Sequence, residues 1–161
     1  MNRTITVGIS DLNVAKDGDV LVTYALGSCV GICLYDPIMK VAGLSHIMLP
    51  SSQGFPAGSQ PHKFADTAIG ILVRQMEQLG ARQGRMKAKI AGGAQMFAGI
   101  NNSSLANIGQ RNVQAVKAEL ARLNIPIVAE DTGKNYGRTQ FFHSVDGGMR
   151  IKSANRGEWM Y

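Results

Sequence analysis

Cys29 and His46 are the two side chains in this 161-residue sequence whose types and spacing could carry nucleophilic catalysis. Cys29 closes the run Thr23-Tyr24-Ala25-Leu26-Gly27-Ser28-Cys29, and His46 lies within Gly43-Leu44-Ser45-His46-Ile47-Met48-Leu49-Pro50. A thiol attacks only as its thiolate, and a free cysteine with a pKa of about 8.5 is mostly protonated at neutral pH. An adjacent imidazole can take that proton, and a third group can hold the imidazole in place. The competing reading makes Cys29 a small buried hydrophobe, as cysteines commonly are. Spacing alone leaves both open. Cys33 reads as an inert core thiol, and His62 and His143 as ordinary loop and strand residues.

The elements that must position this pair are short strands. Cys29–Tyr35 reads as a strand entered through the Leu26-Gly27-Ser28 turn. It puts Val30, Ile32 and Leu34 on one side and Cys29, Gly31, Cys33 and Tyr35 on the other. Val41–Met48 reads as the next strand, ended by Pro50. Antiparallel pairing around Asp36–Lys40 brings the thiol and the imidazole together. Thr4–Gly8 and Val20–Tyr24 are further strands, and the Ser-, Gly- and Pro-rich Ser51–Pro61 is a loop, either a connector or a flap over the site.

A helix is predicted over Lys63–Leu79, with Phe64, Ala68, Ile71, Leu72, Gln75 and Leu79 along one side and Gly80 as its stop. Met86–Ala91 is a strand that runs into Gly92-Gly93. A second helix starts near Asn107, with Asn107 and Gln110 as a capping pair and Val113, Val116, Leu120 and Leu123 as its buried stripe. Ile125–Glu130 is a strand, and Thr139–Ser144 and Met149–Lys152 form a hairpin. Two helices among eight or so short strands, not in alternation, indicate an α+β fold. No repeat or charge block divides the chain, so one domain over residues 1–161 is expected.

Composition narrows the function. Hydrophobic residues make up 45% and charged residues 17%, which is globular rather than disordered. No apolar run suits a signal peptide or a membrane span, so a cytoplasmic protein with free thiols is expected. The net charge of +6 favours acidic partners. Its basic residues are scattered, without the aromatic interleaving of a nucleic-acid surface. Gly92-Gly93 and Gly99 lack the Gly-Lys-Ser/Thr ending of a phosphate loop, and the Cys and His residues lack zinc spacing. Neither cofactor nor metal is expected. Gly92 and Gly93 read instead as a tight turn lining a substrate groove.

The stretches Thr23–Asp36 and Gly43–Pro50 together resemble the chemoreceptor glutamine deamidases, the CheD family. The resemblance continues through Lys63–Ala68, Lys89–Phe97, Ile108–Val113 and Ala129–Gly133, in consistent order over nearly the whole chain. It implies a Cys-His-Thr site: Cys29 as nucleophile, His46 as base and Thr23 orienting the imidazole. It implies mixed or antiparallel sheets packed as a sandwich with flanking helices, in α/β/β/α-like layers, as in cytotoxic-necrotizing-factor-type cysteine hydrolases. Its implied partners are the cytoplasmic domains of methyl-accepting chemotaxis receptors and a CheC-type phosphatase. The helix from Asn107 to Leu123 and the segment Gly92–Asn102 are candidate partner faces.

Two positions depart from the family pattern. Tyr24-Ala25 stands where Leu-Gly is common, and Lys134 where a second glycine is common. If the first glycine serves a positive φ, Ala25 strains the turn. The implied chemistry runs through a thioester: Cys29 attacks a glutamine side-chain amide, backbone N–H groups near Gly27, Ser28 and Cys29 hold the oxyanion, and water releases glutamate. A glutamyl methyl ester could enter the same path. Other readings are a cysteine protease or amidase on another substrate, and a non-catalytic adaptor in which Thr23, Cys29 and His46 are structural.

Overall fold

The computed structural model describes residues 2–96, 107–154 and 156–161. Its strands are β1 (Thr4–Thr6), β2 (Asp11–Ala15), β3 (Val20–Leu26), β4 (Val30–Asp36), β5 (Val41–Ile47), β6 (Lys87–Gly92), β7 (Ile127–Thr132), β8 (Arg138–His143), β9 (Met149–Ser153) and β10 (Gly157–Met160). Helices α1 (Ala65–Glu77) and α2 (Ile108–Arg122) flank β6 in sequence. The strands form two five-stranded sheets, ordered β1-β3-β8-β9-β10 and β2-β5-β4-β6-β7. Each sheet is mixed, with one parallel pair, β1 with β3 and β6 with β7. The result is an α+β sandwich.

β4 organises the second sheet because both its faces are buried. Val30, Ile32 and Leu34 enter a core with α1 and α2, and Cys33 enters a second core shared with Leu21, Phe142, Met149 and Ile151 of the first sheet. The layers are therefore helices, second sheet, first sheet. Among the described residues both helices lie on the second sheet. β4 and β5 pair antiparallel through Asp36↔Val41 to Val30↔Ile47, the pairing expected around Asp36–Lys40. The hairpin of β8 and β9 also forms, with Phe142 opposite Met149.

Packing, not capping, holds α1. Phe64 at its N-cap supplies no side-chain bond, whereas Ala65, Ala68, Ile69, Leu72, Val73 and Met76 are buried. A good N-cap contributes about 1 kcal/mol, and burying one large aliphatic side chain roughly 2 kcal/mol, so the apolar stripe decides. That stripe corrects the sequence reading: Phe64 precedes the helix, and Ile71, Gln75 and Leu79 are only half-buried. Gly80 ends the helix as expected, with φ +97 and its N–H donating to the Glu77 carbonyl.

At α2 the Asn107–Gln110 capping pair does not form, since Asn107 makes no side-chain cap bond. Its buried residues are Gly109, Asn112, Val116, Glu119 and Leu120, with Val113 and Leu123 partly buried beside them. Two strands escaped the sequence reading. β2 carries Asp11 and Asn13, which read as turn residues, and β10 begins at Gly157 on an exposed edge.

Candidate active site

Three strands deliver three side chains to one end of the layer between the sheets. In the β4–β5 ladder His46 lies directly opposite Gly31. Cys29 precedes Gly31 by two residues and shares its face, which makes it a diagonal neighbour of His46. Thr23 arrives from β3 in the facing sheet. Its Oγ1 lies 2.7 Å from His46 Nδ1 and donates to the Val7 carbonyl at 2.7 Å. Gly31 carries no side chain, and a Cβ there would run into the amide of Gln140 in the facing sheet. That amide, opposite Thr23 on β8, donates from Nε2 to the Gly31 carbonyl at 3.1 Å.

The hydroxyl fixes the tautomer of the ring. Thr23 has one proton, and the Val7 carbonyl can only accept it, so Oγ1 must accept from His46 Nδ1–H. The Nε2 lone pair is left for base work. Nε2 is buried and has no hydrogen-bond partner among the described residues. Burial lowers the His46 pKa from 6.5 to about 4, so the ring is neutral at pH 7. Burial also raises the Cys29 thiol pKa, opposed in part by its own backbone N–H. The resting site thus holds a thiol and a neutral imidazole, with no hydrogen bond from His46 Nε2 to the Cys29 sulfur.

The turn before β4 is held from below. The Gly27 carbonyl accepts from Ala94 N–H at 2.9 Å, the Ser28 carbonyl from Asn112 Nδ2 at 2.9 Å, and the Cys29 carbonyl from Gly93 N–H at 2.8 Å. In a trans peptide the N–H points opposite to the C=O. Anchoring the Gly27 and Ser28 carbonyls on the 93–112 side therefore turns the Ser28 and Cys29 N–H groups the other way. Gly92, at φ +106, passes so close to the Cys29 carbonyl that a Cβ would collide with it. Gly93, at φ +64, faces the Val113 side chain in the same manner. Both glycines are buried, and their place is to let backbone pack beneath the turn.

Ala25 adopts φ +58 where the β3–β8 register shifts between Thr23 and Leu26. Lys134 adopts φ +63. Both departures from the glycine pattern thus occupy left-handed backbone, which L side chains visit at a cost. A cleft of about 400 Å³ lies between α2 and the 132–134 turn, lined by Gly93, Gln95, Gln114 and Lys117 among others. Neither Cys29 nor His46 lines it. The Ser51–Pro61 loop is pinned to α1: Ser52 N–H donates to Asp66 at 3.0 Å, and Phe55 packs on Phe64 at 4.9 Å. Of the candidate partner segment Gly92–Asn102, residues 97–102 lie outside the described residues.

Sequence reasoning missed Asn112 and Gln140. Asn112 is buried on α2 together with Gly109, Val116, Glu119 and Leu120, and its only sequence signal is a polar residue in line with Val116 and Leu120. Gln140 is one turnless strand position among six, and nothing local marks it as buried.

A family model described as CheD chemotactic sensory transduction matches residues 48–153. The chain belongs to the CheD family. A relative from Caldanaerobacter subterraneus subsp. tengcongensis, "Probable chemoreceptor glutamine deamidase CheD", is 53% identical over 156 residues, 97% of this chain and 96% of the relative. A protein of the same name from Clostridium botulinum strain Hall is 52% identical over 155 residues, 96% of each chain. Among solved structures, the hypothetical protein YfiH of Bacillus licheniformis is similar at a TM-score of 0.46 and 13% identity, covering 78% of this chain and 51% of that one. That likeness is too loose to bear on the chemistry. The family match begins two residues after His46, so it does not cover Thr23, Cys29 or His46 of this CheD-family protein. None of the described helices is long and apolar enough to cross a membrane.

Proposed function

We propose that this CheD-family protein hydrolyses glutamine side-chain amides of chemoreceptors to glutamate, with Cys29 as nucleophile, His46 as general base and Thr23 as the residue that orients it. The observation that carries the reading is the hydrogen bond between Thr23 Oγ1 and His46 Nδ1, which leaves Nε2 unprotonated on the face that Cys29 shares. His46 Nε2 takes the thiol proton, and sulfur attacks the amide carbon. The Ser28 and Cys29 N–H groups face the developing oxyanion. Collapse expels ammonia, which leaves with the proton held by Nε2, and a thioester remains. Water attacks the thioester while Nε2 takes its proton; the C–S bond breaks, and glutamate and the thiol are restored.

Thr23 is neutral, so it holds the ring without the charge support a carboxylate gives to imidazolium. Because the ring reverts to neutral after each transfer, a depressed His46 pKa favours delivery of the proton to the leaving ammonia. The family resemblance supports cytoplasmic receptor domains as substrate, and the net charge of +6 supports steering toward Glu-rich helices. A CheC-type phosphatase as second partner, and a glutamyl methyl ester as second substrate, follow from the same reading.

The test is mass spectrometry of a receptor signalling domain incubated with the protein, alongside an ammonia assay. Amide-to-acid conversion at glutamine, abolished by Cys29→Ala, is the expected outcome. Chain cleavage would establish a protease instead. Binding of the receptor without any ammonia release, unchanged in Cys29→Ala, would leave an adaptor.

A further inference from the structure

Asn112 is buried in the second turn of α2, and its side-chain amide reaches out of its own helix. Its Nδ2 donates to two carbonyls in other elements: Ser28, which precedes Cys29, and Met48, two residues after His46, both at 2.9 Å. Both partners can only accept, so the orientation of the amide is forced. Its Oδ1 is buried with no partner among the described residues. A mid-helix asparagine is a poor choice for stability, since asparagine is a weak helix former and burying its amide costs desolvation. An aliphatic residue would suit the packing of α2 better. What the amide supplies is two donated bonds from a single atom to the two chain segments that bear the nucleophile and the base.

We propose that Asn112 is a positioning residue that holds the Cys29 turn and the end of β5 in register. The bond to Ser28 O sets the plane of the Ser28–Cys29 peptide, and with it the direction of the Cys29 N–H. The bond to Met48 O holds the chain just beyond His46, where the β4–β5 ladder has already ended at Val30↔Ile47. Beyond that last pair, no ladder bond fixes the separation of Cys29 from the chain that carries His46. Asn112 spans that gap from outside the sheet. Gly109, one turn earlier on the same helix, packs directly on the Gly93 and Ala94 backbone, so α2 itself is seated against the turn. Asn112 touches neither substrate nor the transferred proton. It acts through the groups it aligns.

The kinetic arm rests on the deamidase reading; the thiol arm does not. Asn112→Ala is expected to lower kcat for glutamine deamidation about 10- to 100-fold with KM little changed, as misplacement of a reacting group does. Cys29 alkylation by iodoacetamide at neutral pH should slow by a similar factor, while thermal unfolding stays cooperative. Asn112→Asp gives a sharper signature. Its ionised carboxylate faces two carbonyls and repels both, whereas its protonated form can donate to one of them. Its kcat relative to wild type should therefore rise as pH falls from mildly alkaline to mildly acidic.

A folded Asn112→Ala variant with kcat and alkylation rate within about twofold of wild type overturns the proposal. If the alanine variant does not fold, the aspartate variant decides: a kcat ratio independent of pH overturns it, and a ratio that rises toward acid upholds it. If the wild type releases no ammonia, the deamidase reading fails, and the alkylation rates alone decide on Asn112.

Discussion

Two ends of one layer, two residues apart along every strand, have opposite characters. At one end Cys33 pairs with Leu44 and Leu21 with Phe142; all four are fully buried, and the contacts are apolar. One step along the same strands, Gly31 pairs with His46 and Thr23 with Gln140. There the sheets are joined by hydrogen bonds, Thr23 to His46 and Gln140 to the Gly31 carbonyl. Two thiols carry the contrast: Cys33 within β4 is wholly buried with its pKa driven well up by desolvation, and Cys29, just before β4 begins, is only half-buried. The sandwich is apolar at the one end, and at the other its titratable groups lie where a strand ends. Burial there is still enough to keep His46 neutral.

The widest separation between the ends should come from the two thiols. Cys29→Ala is expected to remove deamidation by about 10⁴-fold or more, while Cys33→Ala keeps kcat and loses roughly 1 kcal/mol of stability; ammonia release and urea unfolding check the pair. Equal loss of activity in both would erase the distinction. Thr23→Val keeps the shape and deletes the hydroxyl that fixes the ring tautomer, and should lower kcat about 100-fold, measured at saturating receptor fragment. A variant as fast as wild type would show that the ring needs no orienting partner.

His46 makes the polar end sensitive to pH. Its pKa is about 4 in the folded chain against 6.5 ordinarily. The unfolded chain therefore binds the proton first, and the stability that neutral His46 confers is complete above pH 6.5. It falls as pH drops from there toward 4, by an amount on the order of 3 kcal/mol. Urea midpoints across that window should fall in wild type and flatten in His46→Ala; parallel curves would assign the sag to other groups. The smallest effect belongs to Ala25. Ala25→Gly relieves an alanine held at φ +58 and should stabilise the fold by about 1 kcal/mol, read as a small rise in Tm.

The β4–β5 hairpin was legible because it is local. Alternation put Val30, Ile32 and Leu34 on one face and Cys29 and Cys33 on the other, and Asp36-Pro37 marked the turn, so pairing of Cys29 with the region of His46 followed from counting residues. The glycine stop of α1 and the β8–β9 hairpin were legible for the same reason. The face of α1 was not. Its buried stripe depends on where the helix begins, and Phe64 is extended rather than helical because the residues on either side of it pair with the 48–49 segment: the Lys63 carbonyl accepts from Met48 and Leu49, and Ala65 N–H donates to the Leu49 carbonyl, contacts between distant residues. β2 was missed because five residues with Asp and Asn become a strand only when β5 lies alongside.

By itself the sequence singled out the candidate reactive side chains, the hairpin of β4 and β5 that carries His46, and a net charge of +6. Only the tertiary structure decided that Thr23 meets Nδ1 rather than solvent, that burial holds the imidazole neutral, and that Asn112 spans from α2 to both segments of the site. Each of these depends on one layer lying against another, and the packing of layers follows from which faces remain apolar over the whole chain. No window of neighbouring residues contains that information.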